Sequence, residues 1–184
     1  VDVARGGRDK TVLAPRWGTF VGHLITAPGK STPDGPAVAA LVMNHAGPHT
    51  LVNVDVIGVG TSPYDHLKTT HPKTEAINGA EGSDARDRTG ELAFANKRAE
   101  LYWRLREALD PTTGQNLALP PDLELLEDLA APTWRLTARG IQIEAKDDIK
   151  KRLDRSPDKG DALVYALAEP TVFTPPPRGR TWRY

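Results

Sequence analysis

The chain has 184 residues, no cysteine, and Lys plus Arg equal to Asp plus Glu at 24 each. That length suits one domain with a sizeable core. The missing cysteines exclude disulfides and thiolate zinc sites, and no apolar run approaches the ~20 residues of a membrane span. Balanced charge is silent on nucleic acid, so any basic surface has to come from local clustering. A soluble, cytoplasmic protein is expected. Val1 stands where a Met would open a complete chain and strand-like residues begin at once, which reads as a fragment of something longer. The organisation expected is one domain over residues 1–170, followed by a Pro-rich basic tail over 171–184.

Val1 to Ala4 predicts a first strand. Lys10 to Arg16 and Thr19 to Ala27 are rich in Val, Leu, Ile, Thr and aromatics, and Arg16-Trp17-Gly18 offers the turn of a hairpin. Thr32-Pro33-Asp34-Gly35 supplies a cap and an early Pro for a helix through Ala37 to Met43, ending near Ala46-Gly47-Pro48. Leu51 to Ile57 is a continuous apolar run broken only by Asn53 and Asp55, as expected of a strand buried on both faces. A helix around Ser62 to Leu67 and a strand over Thr74 to Asn78 complete a βαβ unit. Gly79 to Gly90 is nearly free of apolar residues and reads as a mobile loop.

From Asn96, which can cap a helix, Leu101, Leu105, Ala108 and Leu109 form one helical stripe. Pro120-Pro121 starts a short helix through Leu129, Trp134 to Thr137 and Ile141 to Ala145 form a hairpin, and Lys146 to Leu153 is a polar, basic helix. The last helix, about Asp158 to Ala168, is apolar on nearly all sides, which predicts burial against the sheet with its acidic first turn facing outward. Pro175-Pro176-Pro177-Arg178 belongs to an extended tail. The fold class expected is α/β: a central mixed β-sheet, with an antiparallel meander and parallel strands, flanked by helices. This is the element order of the ribonuclease H-like fold.

Four carboxylates stand in or beside apolar runs, where an ionised side chain needs a strong reason to stay: Asp2, Asp55, Asp158 and Asp161. In the expected architecture the first and central strands are neighbours, so Asp2 and Asp55 can meet across the sheet. Asp158 and Asp161, at i and i+3, share a helical face. Each has a plainer alternative: a frayed terminus for Asp2, a turn hydrogen bond for Asp55, an N-cap for Asp158. Asp9 reads as a hairpin residue rather than a ligand.

The segments Val-Asp-Val-Ala-Arg-Gly-Gly-Arg-Asp-Lys-Thr, Val-Asp-Val-Ile-Gly-Val-Gly, Asn-Lys-Arg-Ala-Glu-Leu-Tyr-Trp-Arg-Leu-Arg, Lys-Asp-Asp-Ile-Lys-Lys-Arg and Ser-Pro-Asp-Lys-Gly-Asp-Ala-Leu occur in that order. As an ordered set they resemble the nuclease domain of the large terminase subunit of tailed bacteriophages and prophages, over essentially the whole chain. Asp158-Lys-Gly-Asp161-Ala-Leu also resembles the closing acidic motif of RuvC-type junction resolvases. The resemblance implies that Asp2, Asp55, Asp158 and Asp161 are catalytic metal ligands. It implies an endonuclease cutting concematenated viral double-stranded DNA during packaging in the bacterial host cytoplasm. It further implies an absent N-terminal ATPase motor, with the small terminase subunit and the portal as partners.

The chemistry agrees with the residue types. Phosphodiester hydrolysis needs an activated water and a stabilised leaving oxygen, which two hard cations ~3.5–4 Å apart supply. Carboxylates suit Mg²⁺ or Mn²⁺. Without metal, the grouped acids should hold protons. Phosphate contacts are expected from Arg5, Arg8, Lys146, Lys150, Lys151, Arg152, Arg155 and Lys159. The competing reading for each is a solvated helix face balanced by Asp147, Asp148 and Asp154.

Three other motifs fail on spacing. Gly29-Lys30-Ser31 lacks the earlier glycine of a P-loop, because Leu24 holds that place. Gly58-Val59-Gly60 has Pro63 where a dinucleotide fingerprint needs glycine, and Gly47-Pro48 breaks the helix that His45 and His49 would share. Two alternatives to the packaging nuclease stay open: a RuvC-like junction resolvase, and a non-catalytic docking module of the packaging motor.

Overall fold

The computed structural model describes residues 1–4 and 9–169. Arg5, Arg8 and the expected tail at 171–184 lie outside the described residues. Strand β1 (Lys10–Leu13) pairs antiparallel with β4 (Ile25–Pro28), and a short ribbon of β2 (Arg16–Trp17) and β3 (Phe20–Val21) extends the turn between them. Helix α1 (Gly35–Met43) is capped by Asp34, whose Oδ1 accepts the Ala37 N–H at 3.0 Å, with Pro in its first turn. Strand β5 (Val52–Asp55), helix α2 (Thr61–Thr70) and strand β6 (Thr74–Ile77) form the βαβ unit, with β5 and β6 parallel.

The N-terminal segment joins the two strand pairs. Asp2 exchanges backbone hydrogen bonds with Val12 of β1 at 3.0 and 2.9 Å. Val1 donates to the Asn53 carbonyl and accepts from the Asp55 N–H, the pattern of a parallel neighbour. The strands therefore run β4, β1, Val1–Ala4, β5, β6, the mixed arrangement expected from the sequence. Because Val1 lies opposite Val54, Asp2 stands beside Asp55 on the same face.

Alternation along β5 sends its residues to two cores. Val52 and Val54 pack with Ala39, Val42 and Leu67 beneath α1 and α2. Asn53 faces helix α6 (Asp158–Ala166), donating from Nδ2 to the carbonyls of Tyr165 and Ala168 at 2.9 and 2.7 Å. On that second face Leu101, Leu105, Leu125 and Leu163 form a core with helices α3 (Lys97–Leu109) and α4 (Leu123–Ala130). The hairpin β7 (Trp134–Thr137) and β8 (Gly140–Ile143) closes on α3 through Phe94, Trp103 and Ile141, and leads into α5 (Lys146–Leu153).

The segment over 79–90 lacks helix and strand runs, as its composition implies, yet it is anchored rather than free. Ser83 Oγ donates to the buried Glu100 at 2.7 Å, while Lys97 and Arg98 donate backbone N–H groups to Glu81 and Gly79 carbonyls. One polar side chain and two backbone carbonyls of the segment make these bonds, which composition alone does not disclose. Gly60 has no alternative residue: a Cβ there would lie 1.6 Å from the Asp55 carbonyl oxygen, so the chain can pass this close to β5 only without a side chain. Among the described residues no helix is long and apolar enough to cross a membrane.

Leu163 on α6 is fully buried at the centre of the second core. Leu163→Ala should cost ~2–5 kcal/mol of unfolding free energy by urea denaturation, as expected for a core leucine that leaves a cavity.

Candidate metal centre

Three elements bring acids to one place. The sheet supplies Asp2 and Asp55, and the first turn of α6 supplies Asp158 and Asp161. Asp2, Asp158 and Asp161 are all buried, at 4%, 6% and 1% exposure. They meet on one cation, the first residue of α5: Lys146 Nζ lies 3.3 Å from Asp2 Oδ2, 3.8 Å from Asp158 Oδ1 and 2.9 Å from Asp161 Oδ2. Asp55 is half-buried at the strand end beside them. Its Oδ1 accepts the Ile57 N–H at 3.0 Å, so the turn contact named as its plainer role is present together with the acidic neighbours.

The backbone and neighbouring side chains orient the acids. Asp158 Oδ2 accepts the Lys10 N–H from β1 at 2.8 Å. Asp161 Oδ1 accepts the Tyr102 hydroxyl at 2.7 Å and lies 3.5 Å from the Arg98 guanidinium, which stacks over the Tyr102 ring. Asp161 Oδ2 is buried and, although close to Lys146, has no aligned hydrogen-bond donor among the described residues.

Electrostatics follow from four carboxylates set against two cations, Lys146 and Arg98. Burial pushes the Asp2 carboxyl up to about 8, with Asp161, Asp158 and Asp55 adding to the rise and Lys146 opposing it. Burial also raises Asp55, against the Ile57 N–H and the Tyr165 hydroxyl. For Asp161 burial acts upward too, but Lys146 and Arg98 outweigh it and hold the group below its ordinary value. Burial alone would lower Lys146; Asp2 and Asp161 instead hold it above the normal lysine range. The cluster thus keeps a proton on Asp2 at neutral pH while Asp161 stays ionised.

No group of three or more His, Cys, Asp or Glu side chains among the described residues is already gathered at ligating distance. The donor set nevertheless fits a hard divalent cation. It is all carboxylate, it carries more negative than positive charge, and one buried carboxylate oxygen lacks a directed partner.

The cations expected to meet phosphate are mostly engaged. Lys146 points into the acids. Lys150 pairs with Asp9, Arg152 with Glu144, Arg155 with Glu127 and Asp128, and Lys159 with Asp122 and Glu124. Lys151 is exposed beside Asp148. Beside Asp158 lies an open cleft of about 680 Å³ of mixed charge, bordered by Lys10, Lys150, Lys151 and Arg155 and by Asp9, Glu124, Asp147 and Asp154. Sequence reasoning missed Arg98, Tyr102 and Tyr165 and the inward turn of Lys146. Arg98 and Tyr102 stand at i and i+4, which places them on one face of α3, but nothing in that spacing indicates the acid they serve.

No family model matches the chain, and no curated protein matches it. Solved structures do. A lysine-to-alanine mutant of the nuclease domain of the large terminase subunit gp2 of bacterial virus Sf6, with manganese and beta-thujaplicinol, is 20% identical with a TM-score of 0.67, over 92% of this chain and 86% of that one. The nuclease domain of the same Sf6 subunit gives 20% and 0.64 over the same shares. A mutant with calcium gives 19% and 0.64, again over 92% and 86%.

The Asp2 proton has a measurable consequence. Between the ordinary carboxylate value of 3.8 and about 8, the folded chain holds a proton that the unfolded chain has lost, so raising the pH favours unfolding. In EDTA, the stability of the wild-type domain relative to Asp2→Asn should fall steadily from pH 5 to 8 in urea denaturation. A difference independent of pH would mean that Asp2 is ionised throughout. The fold that these acids share is that of the terminase nuclease domains, α/β and ribonuclease H-like.

Proposed function

We propose that this domain is a metal-dependent endonuclease of the large-terminase type, cutting concatemeric viral double-stranded DNA during genome packaging in the host cytoplasm. The observation that carries the reading is the meeting of Asp2 from the N-terminal segment with Asp158 and Asp161 of α6 on one ammonium, with Asp55 adjoining. The likeness to terminase nuclease domains, two of them solved with manganese or calcium, supports it. Asp2, Asp55, Asp158 and Asp161 would hold two divalent cations, Mg²⁺ or Mn²⁺. When bound, such ions supply an activated water and stabilise the leaving oxygen of the broken phosphodiester.

The chain's own residues have defined tasks in this reading. Tyr102 and Arg98 hold Asp161 in one orientation through Oδ1, and with Lys146 they keep it ionised, so that Oδ2, now against Lys146, is the oxygen a cation would take. The Lys10 N–H does the same for Asp158. Asp2 gives up its proton as the acids acquire their cations. Lys146, which balances the acids without a cation, would be displaced from them by one and its charge left available to a phosphate. The cleft beside Asp158 receives the DNA backbone, with Lys150 and Lys151 exchanging carboxylate partners for phosphates without reading sequence, while Arg155 stays on the buried Asp128. An ATPase motor, the small terminase subunit and the portal are the partners this role requires.

Two experiments test the reading. Supercoiled plasmid should be nicked and linearised with Mg²⁺ or Mn²⁺ and not with EDTA, and Asp55→Asn should lose at least ~100-fold of that activity through loss of a cation ligand. Cutting that survives the substitution would remove Asp55 from the site, and no cutting at all would favour a docking module. Release of the Asp2 proton further predicts that Mn²⁺ affinity falls roughly tenfold per pH unit from 8 to 6, as calorimetry would show.

A further inference from the structure

Helix α6 carries two of the four acids, yet its own N-terminus is not capped from within. Pro157 stands at the N-cap and offers no side-chain acceptor, so the first-turn N–H groups need a partner from elsewhere. Asp128, on α4, provides it. Its Oδ2 accepts the Lys159 N–H and the Gly160 N–H, each at 3.1 Å. Its Oδ1 accepts from Arg155, and the whole residue has 0% exposure. These two N–H groups belong to the residues between Asp158 and Asp161.

The approach is as close as backbone allows. A Cβ on Gly160 would lie 2.9 Å from the Cβ of Asp128, so α6 can reach this carboxylate only with glycine there. A buried negative charge at a helix N-terminus is well placed against the helix dipole, and Arg155 offsets the cost of burying it. Asp128 touches none of the four acids. It fixes the turn from which two of them project.

Resting on the metal-centre reading above, we infer that Asp128 is a positioning residue for that centre: an N-cap lent by α4 that sets the placement of Asp158 and Asp161. An asparagine cannot replace it, because its amide group retains one acceptor oxygen where the native carboxylate uses both, one for Arg155 and one for the α6 turn. Loss of such an orienting partner typically weakens metal binding by about 10–100-fold.

The test is the Mn²⁺ dissociation constant of the DNA-free domain by calorimetry, for wild type and Asp128→Asn, with thermal unfolding in EDTA alongside. We expect the variant to remain folded in EDTA and to bind Mn²⁺ at least about tenfold more weakly. A merely structural role would lower the unfolding temperature and leave the dissociation constant of the folded protein unchanged, and that result would overturn the inference. Should Asp128→Asn fail to fold, Gly160→Ala keeps every hydrogen-bonding group and only pushes the turn away from Asp128. It must then weaken Mn²⁺ binding in the same direction, and wild-type affinity in that variant would overturn the inference equally. A wild-type domain that takes up no Mn²⁺ would instead bring down the metal-centre reading on which this one rests.

Discussion

The rest of the structure depends on a charge imbalance held out of water. Four carboxylates face two cations at the junction of the sheet, α5 and α6, and three of the acids are almost wholly buried. Desolvation makes such a group costly, and the cost falls only when opposite charge and hydrogen bonds are close at hand. Lys146 provides the charge by lying within 4 Å of three acids at once. Tyr102, Arg98 and the Lys10 N–H provide directed bonds. Part of the negative remainder is relieved at Asp2, whose carboxyl burial and its acidic neighbours push up to about 8.

Rigid elements on both sides keep that arrangement in place. The pleat of β5 separates Val52 and Val54, which belong to the α1–α2 core, from Asn53 and Asp55, which face α6. Asn53 then bonds the C-terminal carbonyls of α6 while Asp128 bonds the N–H groups at its other end. The helix is thus tied at both termini by side chains from other elements. Its apolar body, including Leu163 and Val164, fills the second core between them.

Much of this was legible in the residues because the local signals are strong. The apolar run broken only by Asn53 and Asp55 marked β5, Thr32-Pro33-Asp34-Gly35 and Asn96 marked helix starts, and the apolar body of α6 predicted a buried helix; its acidic first turn, expected to face outward, is buried too, because Lys146, Arg98 and the Lys10 N–H partner the two acids there. What stayed hidden is what depends on long-range partners. Lys146, Arg155 and Lys159 read as a basic surface, yet each is paired with acids far away in the chain: Lys146 with Asp2, and Arg155 and Lys159 with Asp128, Glu124 and the α4 cap Asp122. Composition shows a helix with as many acids as needed to cancel its neighbours, but not which ones meet. The bonds that tie the loop over 79–90 to Glu100, Lys97 and Arg98 on α3 were likewise not legible in its composition.

The bridge from Asp2 to Lys146 spans 144 residues of chain, and that from Lys10 to Asp158 spans 148. Contacts of such separation are the last to repay the entropy of closing the loop between them. The acids therefore come together only after both ends of the domain have docked. The gathering of these acids is thus a property of the completed fold, not of any one of its helices or hairpins.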